Sequence, residues 1–102
     1  MPVSKRVSVN TFTTEEDNDA FIAELTEMWR GWSGPRSRSK ISVDINKDRN
    51  NPLQMTAFVT INGEDAMLAA NEWSKAVVLP ARNKYKHENI MIDADLVATI
   101  KK

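Results

Sequence analysis

Apolar residues recur at every second position in four stretches of the chain, and this period of two predicts four β-strands. The first strand is predicted over residues 5–12, with Val7 and Val9 on one face. The others are predicted over 40–46, from Leu53 to Ile61, and from about Ile90 to Ile100. Their alternating sets are Ile41, Val43 and Ile45; Leu53, Met55, Ala57, Val59 and Ile61; and Ile90, Ile92, Ala94, Leu96, Ala98 and Ile100.

Helical spacing replaces this alternation after the first strand. Thr14 is suited to cap a helix, with Asp17 three residues on, and the apolar positions then follow at intervals of three and four. These positions are Phe21, Leu25, Met28 and Trp32. We expect the helix to end at Gly31 or Gly34, because Pro35 prevents its continuation.

A second helix is predicted after Asn62-Gly63, with Asn62 as a cap acting through Asp65. Its apolar stripe is Ala66, Ala69 or Ala70, Trp73 and Val77, and Pro80 is expected to stop or kink it. The residues between the second and third strands, 47–52, are polar and predict a hairpin loop. Residues 81–89 are basic and fit either a short helix or a long loop.

The order strand, helix, strand, strand, helix, strand predicts one ferredoxin-like α+β domain spanning residues 1–102. In this fold a four-stranded antiparallel sheet carries two helices on one face. We expect the helices to cover the Val, Ile and Leu side chains. The second face of the sheet must then be solvated, bind a ligand or pack on another copy.

The second face is where we place the candidate functional residues. Strict alternation from Val7 and Val9 puts Asn10 and Phe12 there. The same rule adds residues from the other three strands: Ser42, Asp44, Thr56, Phe58, Thr60 and Asp93. Phe58, Met91 and Val97 share this predicted face, and their apolar area predicts a homodimer joined through it.

Composition excludes several kinds of site. The chain has no cysteine and one histidine, His87, so disulfides, thiolate metal sites and iron–sulfur clusters are excluded, and we expect neither a metal nor a haem. Fourteen basic residues balance fourteen acidic ones, which gives no overall field for nucleic acid. No segment has the apolar length of a signal peptide or a membrane span, so a cytoplasmic location is expected.

Two segments resemble the antibiotic-biosynthesis-monooxygenase-like proteins. Residues 55–70, MTAFVTINGEDAMLAA, are similar to that family's third strand and second helix. The turn Ser33-Gly34-Pro35, followed by Ser37 and Ser39, resembles its link between the first helix and the second strand. The resemblance implies a dimeric α+β barrel, a substrate cavity lined by the second sheet faces, and oxygenation of an electron-rich aromatic without a cofactor.

The chain departs from the haem-degrading branch of that family. That branch uses an asparagine on the first strand, a tryptophan where the third strand ends and a histidine on the second helix. Asn10 matches the first position, but Ile61 stands at the second, and no histidine lies between Glu64 and Pro80. The resemblance therefore implies a monooxygenase, isomerase or cyclase reaction rather than haem degradation.

Each candidate residue has a functional and a structural interpretation. Asn10 would hold a substrate oxygen, or else make a structural hydrogen bond at a strand end. Asp44 or Asp93 would act as a base if apolar walls raised its pKa, whereas a solvated carboxylate would not. Phe12 and Phe58 would form walls, and Phe58 fits a dimer contact equally well. We expect Asn10→Ala to weaken ligand binding and to leave stability nearly unchanged if the first interpretation holds.

Three hypotheses follow from these residues. The first is a small cofactor-independent enzyme acting on a hydrophobic, aromatic or quinone-like molecule in a cavity between paired sheets. The second is a non-catalytic module, a regulator or inhibitor, that binds a protein through the sheet face and the basic loops. Nucleic-acid binding through those loops ranks last, because the sheet lacks the stacking aromatics of RNA-recognition modules.

Overall fold

The computed structural model describes residues 3–32 and 40–102. The predicted turn Ser33-Gly34-Pro35 and the serines Ser37 and Ser39 lie outside these ranges. The elements are β1 (Val3–Phe12), α1 (Glu15–Gly31), β2 (Ile41–Lys47), β3 (Gln54–Asn62), α2 (Glu64–Trp73), a π-helical segment (Ser74–Val78), α3 (Leu79–Arg82) and β4 (His87–Asp95).

The four strands form one antiparallel sheet in the order β2-β3-β1-β4. The central strands β1 and β3 pair from Val3 opposite Asn62 to Thr11 opposite Gln54. This arrangement confirms the predicted ferredoxin-like fold. None of the helices in the described ranges has the length and apolar content needed to cross a membrane.

Helix α1 begins as the sequence predicted. The Thr14 hydroxyl accepts a hydrogen bond of 3.0 Å from the backbone N–H of Asp17, and three acidic residues occupy the first turn, where the helix dipole favours negative charge. Phe21 and Leu25 are buried against the sheet. The helix therefore has the apolar stripe that its spacing indicated.

The second helical region differs from the prediction at both ends. Gly63, not Asn62, caps α2, and its φ of 105° lies where an L side chain is strained. Pro80 does not stop the region, because a π-helical turn precedes it and α3 continues to Arg82. A proline lacks the N–H for the α-helical bond and crowds the carbonyl four residues back, and the wider π turn accommodates both effects.

Strand β4 is shorter than predicted, ending at Asp95 rather than near Ile100. Its partner β1 begins at Val3, so pairing stops after Asp95 lies opposite Ser4. One further bond, of 2.8 Å, joins the N–H of Leu96 to the carbonyl of Val3. Residues beyond this point have no strand partner among the described residues, and Val97 and Ile100 are exposed.

The residues that lie on each face of the sheet are as predicted for two strands and differ from the prediction for the other two. On β2 and β3 the predicted sets are correct: Val43 and Val59 lie under the helices, whereas Asp44 and Phe58 lie on the open face. On β1 and β4 the predicted faces are inverted. The face that the helices cover carries Ser8, Asn10, Phe12, Asn89, Met91 and Asp93.

Phe12 explains the inversion of β1. Its ring is buried 5.4 Å from the ring of Phe21 on α1, in the main core cluster. Because the period is two, Asn10 and Ser8 follow Phe12 to the covered face, and Val7 and Val9 turn to the open face. Cross-strand pairing then places Ile92 opposite Val7 and Ile90 opposite Val9.

The open face consequently carries an apolar patch, which we define as Val7, Val9, Phe58, Ile90 and Ile92. Phe58, Ile90 and Ile92 are 46%, 62% and 54% exposed. Met91, predicted to join Phe58 on this face, instead borders the space beneath the helices. The apolar patch is thus larger and more aliphatic than the predicted set of Phe58, Met91 and Val97.

Candidate functional site

A cavity of about 50 Å³ lies between the covered face of the sheet and the helices. Most of its wall is apolar, and the polar groups that reach it are two arginines, an asparagine and two serines. The apolar lining consists of Phe21, Leu25, Trp29, Ala57, Val59, Ile61, Ala70, Val78 and Met91; the polar lining consists of Arg6, Ser8, Asn10, Ser74 and Arg82.

The π-helical segment aligns the residues that form the helical wall of the cavity. Ala70, Ser74, Val78 and Arg82 all border it, and they are spaced four residues apart. In an α-helix a row of residues four apart drifts around the axis, because a turn has 3.6 residues. The wider π turn offsets this drift, so the row stays over the sheet.

Asn10 is at the centre of a buried polar network. Only 1% of this residue is exposed. Its Oδ1 accepts from Nδ2 of Asn89 at 2.7 Å and, more weakly, from Nη1 of Arg82 at 3.4 Å. Its Nδ2 donates to Oγ of Ser8 at 3.3 Å and to Sδ of Met55 at 3.2 Å. The amide therefore connects three strands and α3.

Arg82 is a buried cation with few partners. It is 7% exposed, and the 3.4 Å contact with Asn10 is its one side-chain hydrogen bond among the described residues. Its Nε is buried and has no partner there. Burial lowers the pKa of Arg82 from its ordinary value, because desolvation disfavours the charged form.

Arg6, at the β4 side of the cavity, is fully paired in contrast. Its Nε and Nη2 donate to the carboxylate of Asp93 at 2.7 and 3.2 Å, and its Nη1 donates to Oδ1 of Asn71 at 2.7 Å. This pairing holds the pKa of Asp93 below its ordinary value. The interpretation in which apolar walls raise the pKa of Asp93 therefore does not apply, and a catalytic role for Asp93 stays a prediction.

The structure divides the predicted site residues between two surfaces. Asn10, Phe12 and Asp93 lie on the covered face beneath the helices, and of these three only Asn10 borders the cavity. Phe12 packs in the core beside Phe21 and Tyr85. The remaining residues lie on the open face, as predicted, and so are separated from Asn10 by the sheet: Ser42, Asp44, Thr56, Phe58 and Thr60. The expected cluster of Asn10 with Asp44 is wrong.

Sequence reasoning missed Arg82 because it belongs to the basic stretch 81–89, which fitted either a short helix or a long loop and gave no sign of a buried cation. That stretch is only partly solvated. Arg82 is buried, whereas Lys84 is on the surface and pairs with Glu24 at 2.8 Å. Arg82 continues the inner row at a spacing of four from Val78. The predicted stripe missed this row because it took Val77 as the inner residue, and Val77 is exposed after the π-helical turn.

A tryptophan lines the cavity from α1 and not from the end of β3, where the resemblance would place one. Ile61 occupies the end region of β3, as the sequence shows, and is buried at the cavity wall. Beside it, Trp29 of α1 supplies an indole to the same wall. The Trp29 ring lies 4.5 Å from that of Trp73 and 5.7 Å from that of Trp32. Trp29 is partly buried and contributes to the cavity wall from α1.

His87 begins β4 rather than lying in a loop, and its Nδ1 is 2.8 Å from the carbonyl oxygen of Tyr85. In residues 3–32 and 40–102 no three His, Cys, Asp or Glu side chains are grouped so that they could hold a metal ion. That the protein functions without a metal stays a prediction.

Solved structures share this arrangement of strands and helices. A dimeric ferredoxin-like protein from an uncultured marine organism matches 98% of this chain over 100% of its own, with a TM-score of 0.78 and 11% identity. SnoaB, a cofactor-independent oxygenase from Streptomyces nogalater, matches 99% of this chain over 97% of its own, with a TM-score of 0.64 and 10% identity.

A structure described as an antibiotic biosynthesis monooxygenase matches 92% of this chain over 99% of its own, with a TM-score of 0.64 and 14% identity. The chain has the antibiotic-biosynthesis-monooxygenase-like fold. The resemblance stated from the sequence is confirmed at the level of the fold. No protein-family model matches the chain, and neither does any curated protein sequence.

Proposed function

We propose that this protein is a small cofactor-independent enzyme acting on a hydrophobic aromatic or quinone-like molecule, with a reaction of the monooxygenase, isomerase or cyclase type. The cavity beneath the helices replaces the space between paired sheets as the proposed substrate site. SnoaB, which has the same fold, is described as a cofactor-independent oxygenase. This fold likeness supports the class of reaction and leaves the substrate to the site itself.

The composition of the cavity wall carries the proposal. Ligand sites in proteins are mostly apolar with a few convergent polar groups, and here Asn10 and Arg82 converge on a wall of aliphatic and aromatic side chains. The volume of about 50 Å³ is small beside the roughly 300–1,000 Å³ of typical ligand pockets. Ligand entry therefore requires long side chains at the wall, such as Met91 and Trp29, to turn aside.

In the monooxygenase case the substrate itself supplies the electrons. A phenol loses its hydroxyl proton, and the ring carbon forms a bond with O₂. The C–H bond at that carbon then breaks, its electron pair forms the new carbonyl of a quinone, and the O–O bond cleaves. The outer oxygen leaves as water, which takes up the ring proton and the hydroxyl proton. Phenol and O₂ thus give quinone and water without a further reductant. Asn10 would orient the substrate oxygen through Nδ2, whose present acceptors are the weakly accepting Sδ of Met55 at 3.2 Å and Oγ of Ser8 at 3.3 Å.

The test is turnover of a panel of phenols, hydroquinones and naphthols under ¹⁸O₂, followed by mass spectrometry. We expect at least one compound to gain ¹⁸O, or to isomerise or cyclise at unchanged mass, faster with the protein than without it. Ser74→Phe places a large ring in the cavity and should abolish this reaction. The control Leu68→Phe, on the exposed side of α2, should leave the reaction unchanged. Absence of turnover throughout the panel, or full activity of Ser74→Phe, would overturn the proposal.

We also propose that two copies pair through the open face. Two structures with this fold are described as dimeric ferredoxin-like proteins. On this chain the apolar patch supports the same assembly, because leaving it in water forfeits about 25 cal/mol per Å² of apolar area. The patch also favours the second candidate function, a non-catalytic module that binds a different protein there. The oligomeric state of the purified chain separates the two.

A further inference from the structure

The chain contains a buried positive charge that none of its own carboxylates neutralises. Arg82 forms no ion pair within the described residues, and its Nε has no hydrogen-bond partner there. The undescribed residues, 1–2 and 33–39, include no aspartate or glutamate. Side-chain carboxylates outside the described ranges therefore cannot supply the missing partner.

The carboxylates of Asp93 and Glu24 bind other side chains and neither forms an ion pair with Arg82, although Oε2 of Glu24 is buried without a hydrogen-bond partner. Asp93 on β4 is bound by Arg6, and Oε1 of Glu24 on α1 accepts from Lys84 and Tyr85 at 2.8 and 3.2 Å. A guanidinium stays protonated across the physiological pH range, so Arg82 cannot escape its burial by losing a proton. Burying an unpaired charge costs several kcal/mol, and such groups normally have a counter-charge.

The position of Arg82 indicates where that counter-charge belongs. Arg82 borders the same cavity as Asn10, and its strongest possible partner is a planar oxyanion that accepts from two guanidinium nitrogens. A second copy docked on the open face could not provide it, because the sheet lies between that face and Arg82.

We infer that the ligand of this cavity is an aromatic anion whose charged oxygen, of a carboxylate or a phenolate, is bound by the Arg82 guanidinium. This inference rests on the proposed function only in taking the cavity as the ligand site. It adds the charge of the ligand and the residue that selects it. The apolar wall would contact the ring, and Asn10 would keep Arg82 in place through their 3.4 Å contact.

The experiment compares anions with neutral molecules of the same shape. Thermal melts in a buffer without added chloride would be recorded with benzoate against benzyl alcohol and with 2-naphthoate against 2-naphthalenemethanol. A third pair, 4-nitrophenol above its own pKa against 4-nitroanisole, tests the phenolate. Quenching of tryptophan fluorescence gives an independent binding signal, because Trp29 lines the cavity.

Two variants distinguish binding by the Arg82 guanidinium from a general effect of positive charge on anion binding. Arg82→Met keeps an unbranched apolar side chain in place of the cation, and Lys84→Met removes a surface cation two residues away that is already paired with Glu24. We expect at least one anion to bind the wild-type protein tenfold or more tightly than its neutral counterpart. Arg82→Met should lose this preference and melt no lower than the wild type without ligand, whereas Lys84→Met should keep it.

The pair that shows the preference identifies carboxylate or phenolate as the charged group. If neutral molecules bind as well as the anions, the inference is overturned while the proposed cavity stands. If no probe of either kind binds, both fail. Retention of the anion preference in Arg82→Met would also overturn the inference, and a low melting temperature of that variant would show that Arg82 is a structural residue.

Discussion

Asn10 shows how one side chain can fix the relation between a sheet and a helix. Its amide contacts Ser8 on its own strand, Met55 on β3, Asn89 on β4 and Arg82 on α3. An asparagine is costly to bury without partners, and these contacts use both the donor and the acceptor of its amide. Asn10 therefore has a structural role, whether or not it also binds a ligand.

Asn10→Ala should accordingly destabilise the protein, in contrast to the expectation from sequence that stability would hardly change. Removing the amide leaves Asn89 without its 2.7 Å acceptor and Arg82 without its one side-chain partner among the described residues. We expect a loss of about 1–3 kcal/mol, measured by urea unfolding. The control is Asn46→Ala on β2, because Nδ2 of Asn46 is buried without a partner. Equal stability of Asn10→Ala and the wild type would contradict the network.

The position of Asn10 also shows what sequence reasoning could establish. The strands and their order were predictable because alternation is a local property. The face that each strand turns to the helices was predicted correctly for β2 and β3, whereas the apolar set of β4, Ile90 and Ile92, follows its partner β1 to the open face. On β1 both sets are mixed, and the choice depends on Phe12 packing against Phe21, a contact between different elements. Arg82 was missed because burial of a cation depends on the same tertiary packing.

At the scale of the elements, the link from β3 to α2 depends on one backbone conformation. Gly63 is buried, with φ of 105° and ψ of 154°, and it caps α2 without a side-chain hydrogen bond. This region of the backbone map is essentially restricted to glycine. The reversal places Ala66 and Ala70 directly over Val59 and Ile61, which form the second core cluster.

Gly63→Ala should therefore cost about 1–3 kcal/mol, the usual strain of a side chain in such a conformation. Gly31→Ala is the matched control, because Gly31 ends α1 and a Cβ there would meet nothing within 4 Å. The control should be neutral or stabilising by up to about 1 kcal/mol, since alanine favours helix. Thermal melts measure both, at roughly 4–8 °C per kcal/mol for a chain of this size. Equal melting temperatures of the two variants would contradict the strained turn.

At the scale of the whole molecule, the sheet has two apolar faces and the helices cover one. The covered face holds the core and the cavity, and the open face holds Val7, Val9, Phe58, Ile90 and Ile92. In the proposed function, this division separates assembly through the open face from ligand binding in the cavity. A change on the open face should alter the oligomeric state without touching Asn10 or Arg82.

The last prediction uses this separation. Ile92→Lys places a charge in the patch, next to Val7 on β1, and should weaken a homodimer on the order of 100-fold, the effect of losing a central contact at an interface. Leu68→Lys introduces the same charge on the exposed side of α2 and should leave the dimer intact. Sedimentation equilibrium from low to high micromolar concentration measures both. A wild-type monomer throughout this range would contradict the dimer and favour a different protein as the partner of the patch. Dissociation of both variants would show that added charge acts by itself, and that the patch is not the interface.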